Sequence, residues 1–401
     1  MKWRAGNPAV DEIAIVHCFQ ITGDVIFYCN YLWWPHIPQD VKLSDVTLRE
    51  GSQMPGRQFT AEQKIEAGER LDDLGIDQIQ PGFPATGETD STAVRQLAAT
   101  CSADICAIAR SVESDIDAAL ESNADIIQIF APISDLQLEH VLGKSRAETV
   151  EILESAIRYA TDHGVAVECG LMDGFRTDPS IIADVCETIP DVSAYVIPDT
   201  VGATTPNVVD EYLESLSKNG IDLATVGVHF HDDLGLATAN ALTAVRRGVG
   251  KVDVSIGGLG ERAGNTAMEE LVVATSIDGE SPFDVDVSRL IPSCGDVLDI
   301  LEVSVSPRKP ILGSDVYSHE SGIHTRTMLT EPATFEPFDP ATFGGHRSLV
   351  FGDGTGAGSA KTLLRLADRS PDDDTVNALL AVLAEEGPVD EQAAIELARQ
   401  L

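Results

Sequence analysis

Between Lys42 and about Ile256 the chain alternates two spacings of apolar residues. Short β-branched runs are followed by longer stretches whose apolar positions recur every three or four residues. The first spacing predicts buried strands and the second amphipathic helices. Strands are predicted at residues 42–46, 76–80, 105–109, 126–130, 165–169, 194–197, 225–230 and 252–256. A helix is predicted over 61–74, with Ile65, Leu71 and Leu74 on one side. Thr60 with Gln63 three residues on reads as its capping box. Gly75, Gly164 and Gly248 stand where a left-handed residue ends a helix. Eight alternating units place the chain in the α/β class, as a (β/α)8 TIM barrel. An open doubly wound sheet is the competing arrangement.

After Ser281-Pro282-Phe283 the rhythm breaks. A helix is predicted at 297–303. A mixed segment over 311–343, rich in Pro, Thr and Phe, leads to the Gly-rich run F-G-D-G-T-G-A-G-S-A-K. Two helices are predicted to end the chain, at 360–367 and 374–400. The organisation expected is an N-terminal extension (1–40), a barrel (41–283) and smaller, mostly helical C-terminal subdomains (284–401) without a separate regulatory domain. The extension holds all three tryptophans and little of the acidic character found elsewhere. It reads as an extra strand pair or an upstream addition, of low order.

Charge narrows the partners. With 65 Asp+Glu against 27 Lys+Arg, the formal net charge is −38. That excludes the basic stripe a nucleic-acid surface needs and disfavours an anionic membrane. Scattered carboxylates and few lysines resemble the surfaces of proteins from high-salt cytoplasm, where screening relieves self-repulsion. Residues 13–34 are apolar but interrupted by His17, Gln20, Asp24 and Asn30, so neither a membrane span nor a signal peptide is read. Seven cysteines without a C-x-x-C fit a reducing, cytoplasmic setting with buried thiols. Cys169, near a strand end, is read as one of these rather than as a nucleophile.

The chemistry concentrates at predicted strand ends. His229 and His231 lie two apart in V-H-F-H-D-D-L-G, so on a strand both rings face one side. Glu50 follows the first strand in L-R-E-G-S-Q. Strands one, seven and eight become neighbours when a barrel closes, which brings Glu50 to the histidines and Asn265, from G-L-G-E-R-A-G-N, beside them. Two histidines and a carboxylate with room for substrate describe a catalytic metal site. Arg49, Gln53, Arg110 and Thr200 fall on the same rim. Arg110 reads equally as one half of a structural ion pair and Thr200 as a helix cap. G-D-G-T-G-A-G lacks the Lys-Ser/Thr ending of a phosphate loop and reads as turns.

These four segments, L-R-E-G-S-Q with Lys64 downstream, V-G-V-H-F-H-D-D-L-G, G-L-G-E-R-A-G-N and H-E-S-G-I-H, occur in one order. In that order they resemble the acetyl-CoA-dependent 2-isopropylmalate, homocitrate and citramalate synthases. The resemblance covers about Val41 to Leu366. It implies Claisen-type condensation of acetyl-CoA, as co-substrate, with a 2-oxo acid in amino-acid biosynthesis. The 2-isopropylmalate (leucine) type is the leaning, homocitrate and citramalate synthases the alternatives. It implies a divalent metal (Mg²⁺, Mn²⁺ or Zn²⁺) on Glu50, His229 and His231 with Asn265 nearby. It gives Arg49 to the keto oxygen and Gln53 and Thr200 to the substrate, with Arg110 a further candidate contact from its place on the rim. It also implies a homodimer in which His324 serves the partner subunit's active site. No residues for binding acetyl-CoA are identified. After strand five the family usually carries Glu-Asp; here C-G-L-M-D-G-F-R puts Met172 at the Glu position, with Glu168 a possible substitute. Related barrels that cleave carbon–carbon bonds, such as 3-hydroxy-3-methylglutaryl-CoA lyases and aldolases, are a different class still open, as is a non-catalytic paralogue.

Overall fold

The computed structural model describes residues 40–277, 281–320 and 322–401. The expectation for the N-terminal extension falls, apart from Asp40, outside them. Eight strands form the centre: β1 (Lys42–Asp45), β2 (Gln78–Gly82), β3 (Asp104–Arg110), β4 (Ile126–Pro132), β5 (Ala166–Met172), β6 (Ala194–Asp199), β7 (Val226–Phe230) and β8 (Lys251–Val254). Each pairs in parallel with the next. The barrel closes where β1 meets β8, with Leu43 opposite Val252 and Asp45 opposite Val254. The open sheet is thereby excluded. β2, β7 and β8 are buried on both faces; β2 and β8 nevertheless carry polar residues on one of those faces, Gln78 and Gln80 and then Lys251 and Asp253, all buried inside the barrel.

Local signals explain several boundaries. In the helix Ala61–Leu74, the Thr60 hydroxyl accepts from the Gln63 amide and the Gln63 side chain accepts from the Thr60 amide. Gly75 ends the helix at φ 92°. β2 starts two residues later than its apolar run because Ile76 still closes that helix, donating to the Leu71 carbonyl. β5 runs on to Met172, paired with Pro132 of β4.

Past the barrel, two expectations are corrected. The helix expected at 297–303 spans Leu290–Ile300 and stops before Glu302, a non-glycine residue at φ 54°. It packs against the helix Ala61–Leu74, and the Gln63 side-chain amide donates to the Ile300 carbonyl at 2.9 Å. The helix expected at 374–400 is two, Asp373–Glu386 and Glu391–Arg399. Gly387 at φ 80° and Pro388, which has no N–H, interrupt it. Between them β11 (Val389–Asp390) pairs antiparallel with β10 (Ser348–Phe351), which pairs parallel with β9 (Ser318–His319). These elements enclose a second core of Leu349, Phe351, Leu363, Leu364, Leu379 and Leu383. The Gly-rich run is a turn closed by the Gly352 amide on the Thr355 hydroxyl, leading into the helix Ala357–Leu366. Among the described residues no helix is long and apolar enough to cross a membrane.

Candidate metal centre

The strand ends converge on one cavity of about 280 Å³. Its polar side is formed by Arg49, Glu50, Gln53, Thr200, His229 and His231, with Asp253 and Glu261. Its apolar side is Phe83, Ile108, Phe130, Met172, Val196 and Pro198. Gly170 belongs to this wall too, because a side chain there would strike Phe130.

His229 is the penultimate residue of β7 and His231 follows the strand's end, both rings on one face with centroids 5.0 Å apart. Glu50 ends a short helix, Thr47–Glu50, that leaves β1 directly. One carboxylate oxygen of Glu50 and one ring nitrogen from each histidine lie within 4.8 Å of one another. Asn265 arrives by a different route. In G-G-L-G-E-R-A-G-N, Gly257, Gly258 and Gly264 all have φ between 65° and 96°, a region in which a Cβ is strained. That path folds the loop back so that Asn265 bridges His231, and its amide donates to His229 Nε2 at 3.0 Å.

The electrostatics suit a cation. Burial and the neighbouring His229 pull the pKa of His231 down to about 3, which keeps the ring neutral. Burial alone would raise Glu50, but Arg49 and both histidines outweigh it and hold the carboxyl below its ordinary value. The Arg49 guanidinium pairs with Glu50 and donates through Nε to Gln80 at 3.1 Å. Glu50 Oε2, His231 Nδ1 and Asn265 Oδ1 are buried yet have no hydrogen-bond partner. Orphaned buried atoms are rare, and a divalent cation held by two imidazoles and a carboxylate would satisfy such a set.

Behind the rim lies a layer that sequence reasoning did not single out. Asp253 sits opposite His229 in the β7–β8 register, and its Oδ2 lies 3.1 Å from His229 Nδ1. A proton on Nδ1 makes Nε2, 3.7 Å from Glu50 Oε1, the acceptor end of the ring, the tautomer a carboxylate imposes on a metal-binding histidine. Lys251, on the same strand, lies 2.6 Å from Glu168 Oε2 and 3.5 Å from Asp253 Oδ1. Burial favours the neutral form of Asp253, but Lys251 and His229 outweigh it and hold the carboxyl well below its usual range. The available signal was a lone carboxylate and a lone lysine inside an apolar strand.

Three expected residues stand apart. Arg110 does not line the cavity: its guanidinium is forked on Asp115, at 2.6 and 3.0 Å, and stacks over Phe83 at 5.8 Å. Glu168 does not replace the carboxylate missing at Met172, because it is consumed by Lys251 deeper in the barrel. His324 lies in the C-terminal region, stacked on Phe335 with centroids 4.0 Å apart and 6.0 Å from His319. Thr200 caps no helix; its hydroxyl accepts from the Asp173 amide at 2.9 Å. Cys169 is fully buried, and burial pushes its thiol far up, out of reach of nucleophilic use.

A closed parallel barrel with two histidines and a carboxylate grouped at the carboxyl rim has the arrangement that metal-assisted barrel enzymes use. The chain belongs to the HMGL-like family, whose model matches residues 40–296, and residues 311–387 match a homocitrate synthase post-HMGL domain-like model. It is 37% identical to the homocitrate synthase AksA of Methanopyrus kandleri over 86% of this chain and 87% of that one. It is 36% identical to a probable 2-isopropylmalate synthase of Ignicoccus hospitalis, over 85% and 86% of the two chains. A putative (R)-citramalate synthase, CimA, of M. kandleri is 34% identical, over 86% of this chain and 68% of that one. Among solved structures, the HMG-CoA lyase of Bacillus subtilis superposes with a TM-score of 0.59 at 22% identity, covering 68% of this chain and 97% of the lyase.

Proposed function

We propose that this chain condenses acetyl-CoA with a 2-oxo acid bearing an apolar side chain, a reaction of the 2-isopropylmalate synthase type. The observation that carries the choice is the division of the cavity. Its metal-binding and cationic groups come from β7 and the segments after β1 and β7, and its other wall, from β2 to β6, carries no charged side chain and is apolar but for Gln128. Arg49 is the one cation among the lining residues, and Arg110 is engaged by Asp115. A second carboxylate on the substrate, as in 2-oxoglutarate, would be buried against Phe83, Phe130 and Met172 with no cation to pair it and only the Gln128 amide to donate to it, which is costly.

In this reading Glu50, His229 and His231 hold a divalent cation, with Asn265 beside them. The cation supplies Lewis-acid polarisation of the 2-oxo group. Arg49 donates to the keto oxygen as negative charge gathers there. Gln53 and Thr200 hold the substrate carboxylate, and the apolar wall receives its side chain and excludes water. Met172 carries no proton, so a group outside this set must serve acid–base work. His324 of a second copy of the chain is assigned that part, since His324 does not line the cavity of its own chain. Condensation rather than cleavage is supported by the match of residues 311–387 to the homocitrate synthase post-HMGL domain, which follows the HMGL-like match.

Thiol release from acetyl-CoA, measured in high salt as the acidic surface recommends, tests the substrate. 2-Oxoisovalerate should outpace pyruvate and 2-oxoglutarate; a preference for 2-oxoglutarate would overturn the reading. Mixing His231→Ala subunits with His324→Ala subunits, each inactive alone, should restore thiol release. No restoration in a mixed population would remove His324 from the site.

A further inference from the structure

A second cavity lies against the first. It is a groove of about 360 Å³ between the end of β4 and the segment Leu138–Leu142, walled by Val112, Val141, Leu142 and Ile152. All four are unusually exposed for such side chains; Val141 is 62% open to solvent. Contiguous apolar surface of this kind on a soluble protein marks a binding place more often than chance does. Two residues line both cavities, Phe130 of β4 and Met172 at the end of β5. Phe130 is held edge-on to Phe83, with centroids 6.3 Å apart. Met172 is the adaptable one: an unbranched side chain with three rotatable bonds changes shape at little cost. The backbone of Met172 is fixed, its carbonyl accepting from the Ile133 amide, so only its side chain can give way.

We infer that the groove is the subsite for the distal hydrocarbon of the 2-oxo acid, entered past the Met172 side chain. This rests on the reading that the cavity takes a 2-oxo acid, and it specifies which ones: acids whose unbranched apolar chain is too long for the first cavity. A carboxylate at position 172 would close this path, because passing hydrocarbon over a charge strips its hydration without return. A thioether leaves the path apolar from Phe130 to Ile152. Arg110, Ser111, Lys144 and Thr149 also line the groove, but Arg110 is forked on Asp115 and the hydroxyls of Ser111 and Thr149 donate to the Phe130 and Ser145 carbonyls. The alternative occupant, the arm of the acyl thioester, carries two amides that would find few partners there beyond Lys144.

The experiment is a homologous series of unbranched 2-oxo acids, assayed by thiol release with the full chain loaded with Mn²⁺. Once the chain passes Met172, kcat/KM should rise by about fourfold per added methylene, the equivalent of ~0.8 kcal/mol of burial each. Val141→Asp and Ile152→Asp, made separately at exposed positions, should lower the ratio of long-chain to short-chain kcat/KM. Met172→Glu should lower that ratio furthest. An unchanged ratio in all three variants overturns the inference. So does a raised KM for acetyl-CoA in Val141→Asp and Ile152→Asp, which would give the groove to the thioester. A change of oligomeric state in those variants, read by light scattering, would give it to a second copy and overturn the inference as well. Absence of turnover with every 2-oxo acid, short or long, would instead strike the proposed function itself.

Discussion

His231→Ala should abolish thiol release while leaving the protein folded. His231 lies at the rim and is 7% exposed, facing a cavity rather than packed core. Its removal should therefore cost about 1 kcal/mol or less of stability, the ordinary size of a substitution away from packed core. The effect on the cation is much larger. The set Glu50, His229 and His231 offers three ligand atoms, and the variant keeps two. Losing an outer hydrogen-bond partner of a metal ligand weakens binding by roughly 10- to 100-fold, and loss of a ligand exceeds that. Two measurements separate the causes. Wild-type protein should melt at a higher temperature with Mn²⁺ or Zn²⁺, since a ligand of the native state raises its stability. The variant should melt near the metal-free wild-type temperature with or without the ion. Full activity in His231→Ala, or a metal-dependent rise in its melting temperature equal to wild type, would sink the assignment.

The reason this site could be anticipated is geometric. A His-x-His pair on a strand needs only the two-residue period to become a one-faced pair, and closure of eight strands makes β1 and β7 near neighbours through β8. Glu50 and Asn265 then follow from their places at strand ends. What the linear pattern left hidden is depth. Glu168 and Met172 share the parity of β5 and face the same way, yet four residues along a strand is roughly 13 Å. Nothing in the spacing says that Glu168 belongs to the layer of Lys251 while Met172 belongs to the rim. Arg110 was ambiguous for a similar reason. Its partner Asp115 lies on the following helix, and the bidentate pairing depends on how the β3 loop turns. The broken C-terminal helix is a different case, since Gly387-Pro388 stood in the sequence as a break and the apolar period on both sides concealed it.

The buried charges beneath the metal centre set the largest expected change in stability. Lys251 is 3% exposed and is the cation shared by Glu168 and Asp253, themselves 2% exposed each. Glu168 has further company in Gln78, whose amide, turned to face both, donates to Glu168 at 3.0 Å and accepts from Lys251 at 3.1 Å. Lys251→Met keeps the length of the side chain and removes the charge, leaving two carboxylates in a place with little water. Breaking a buried pair in this way costs about 3–5 kcal/mol, because the remaining charge loses its compensation. The sign of the pH dependence follows. In the wild type the Asp253 pKa is depressed, so its contribution is present above the ordinary carboxylate range and is lost as pH falls. In the variant the largest lowering influence on Asp253 is removed and only His229 and Arg49 oppose burial, so protonation of Asp253 should relieve part of the strain. The gap between variant and wild type in urea unfolding should be widest near neutral pH and narrow as the solution is acidified. Lys251→Met/Glu168→Met, which replaces the pair with apolar side chains of similar size, should regain much of the loss, while Asp253 keeps its hydrogen bond to His229. A Lys251→Met variant that unfolds within about 1 kcal/mol of wild type at neutral pH would mean that water reaches this layer and that the charges beneath His229 are not a dry support for it.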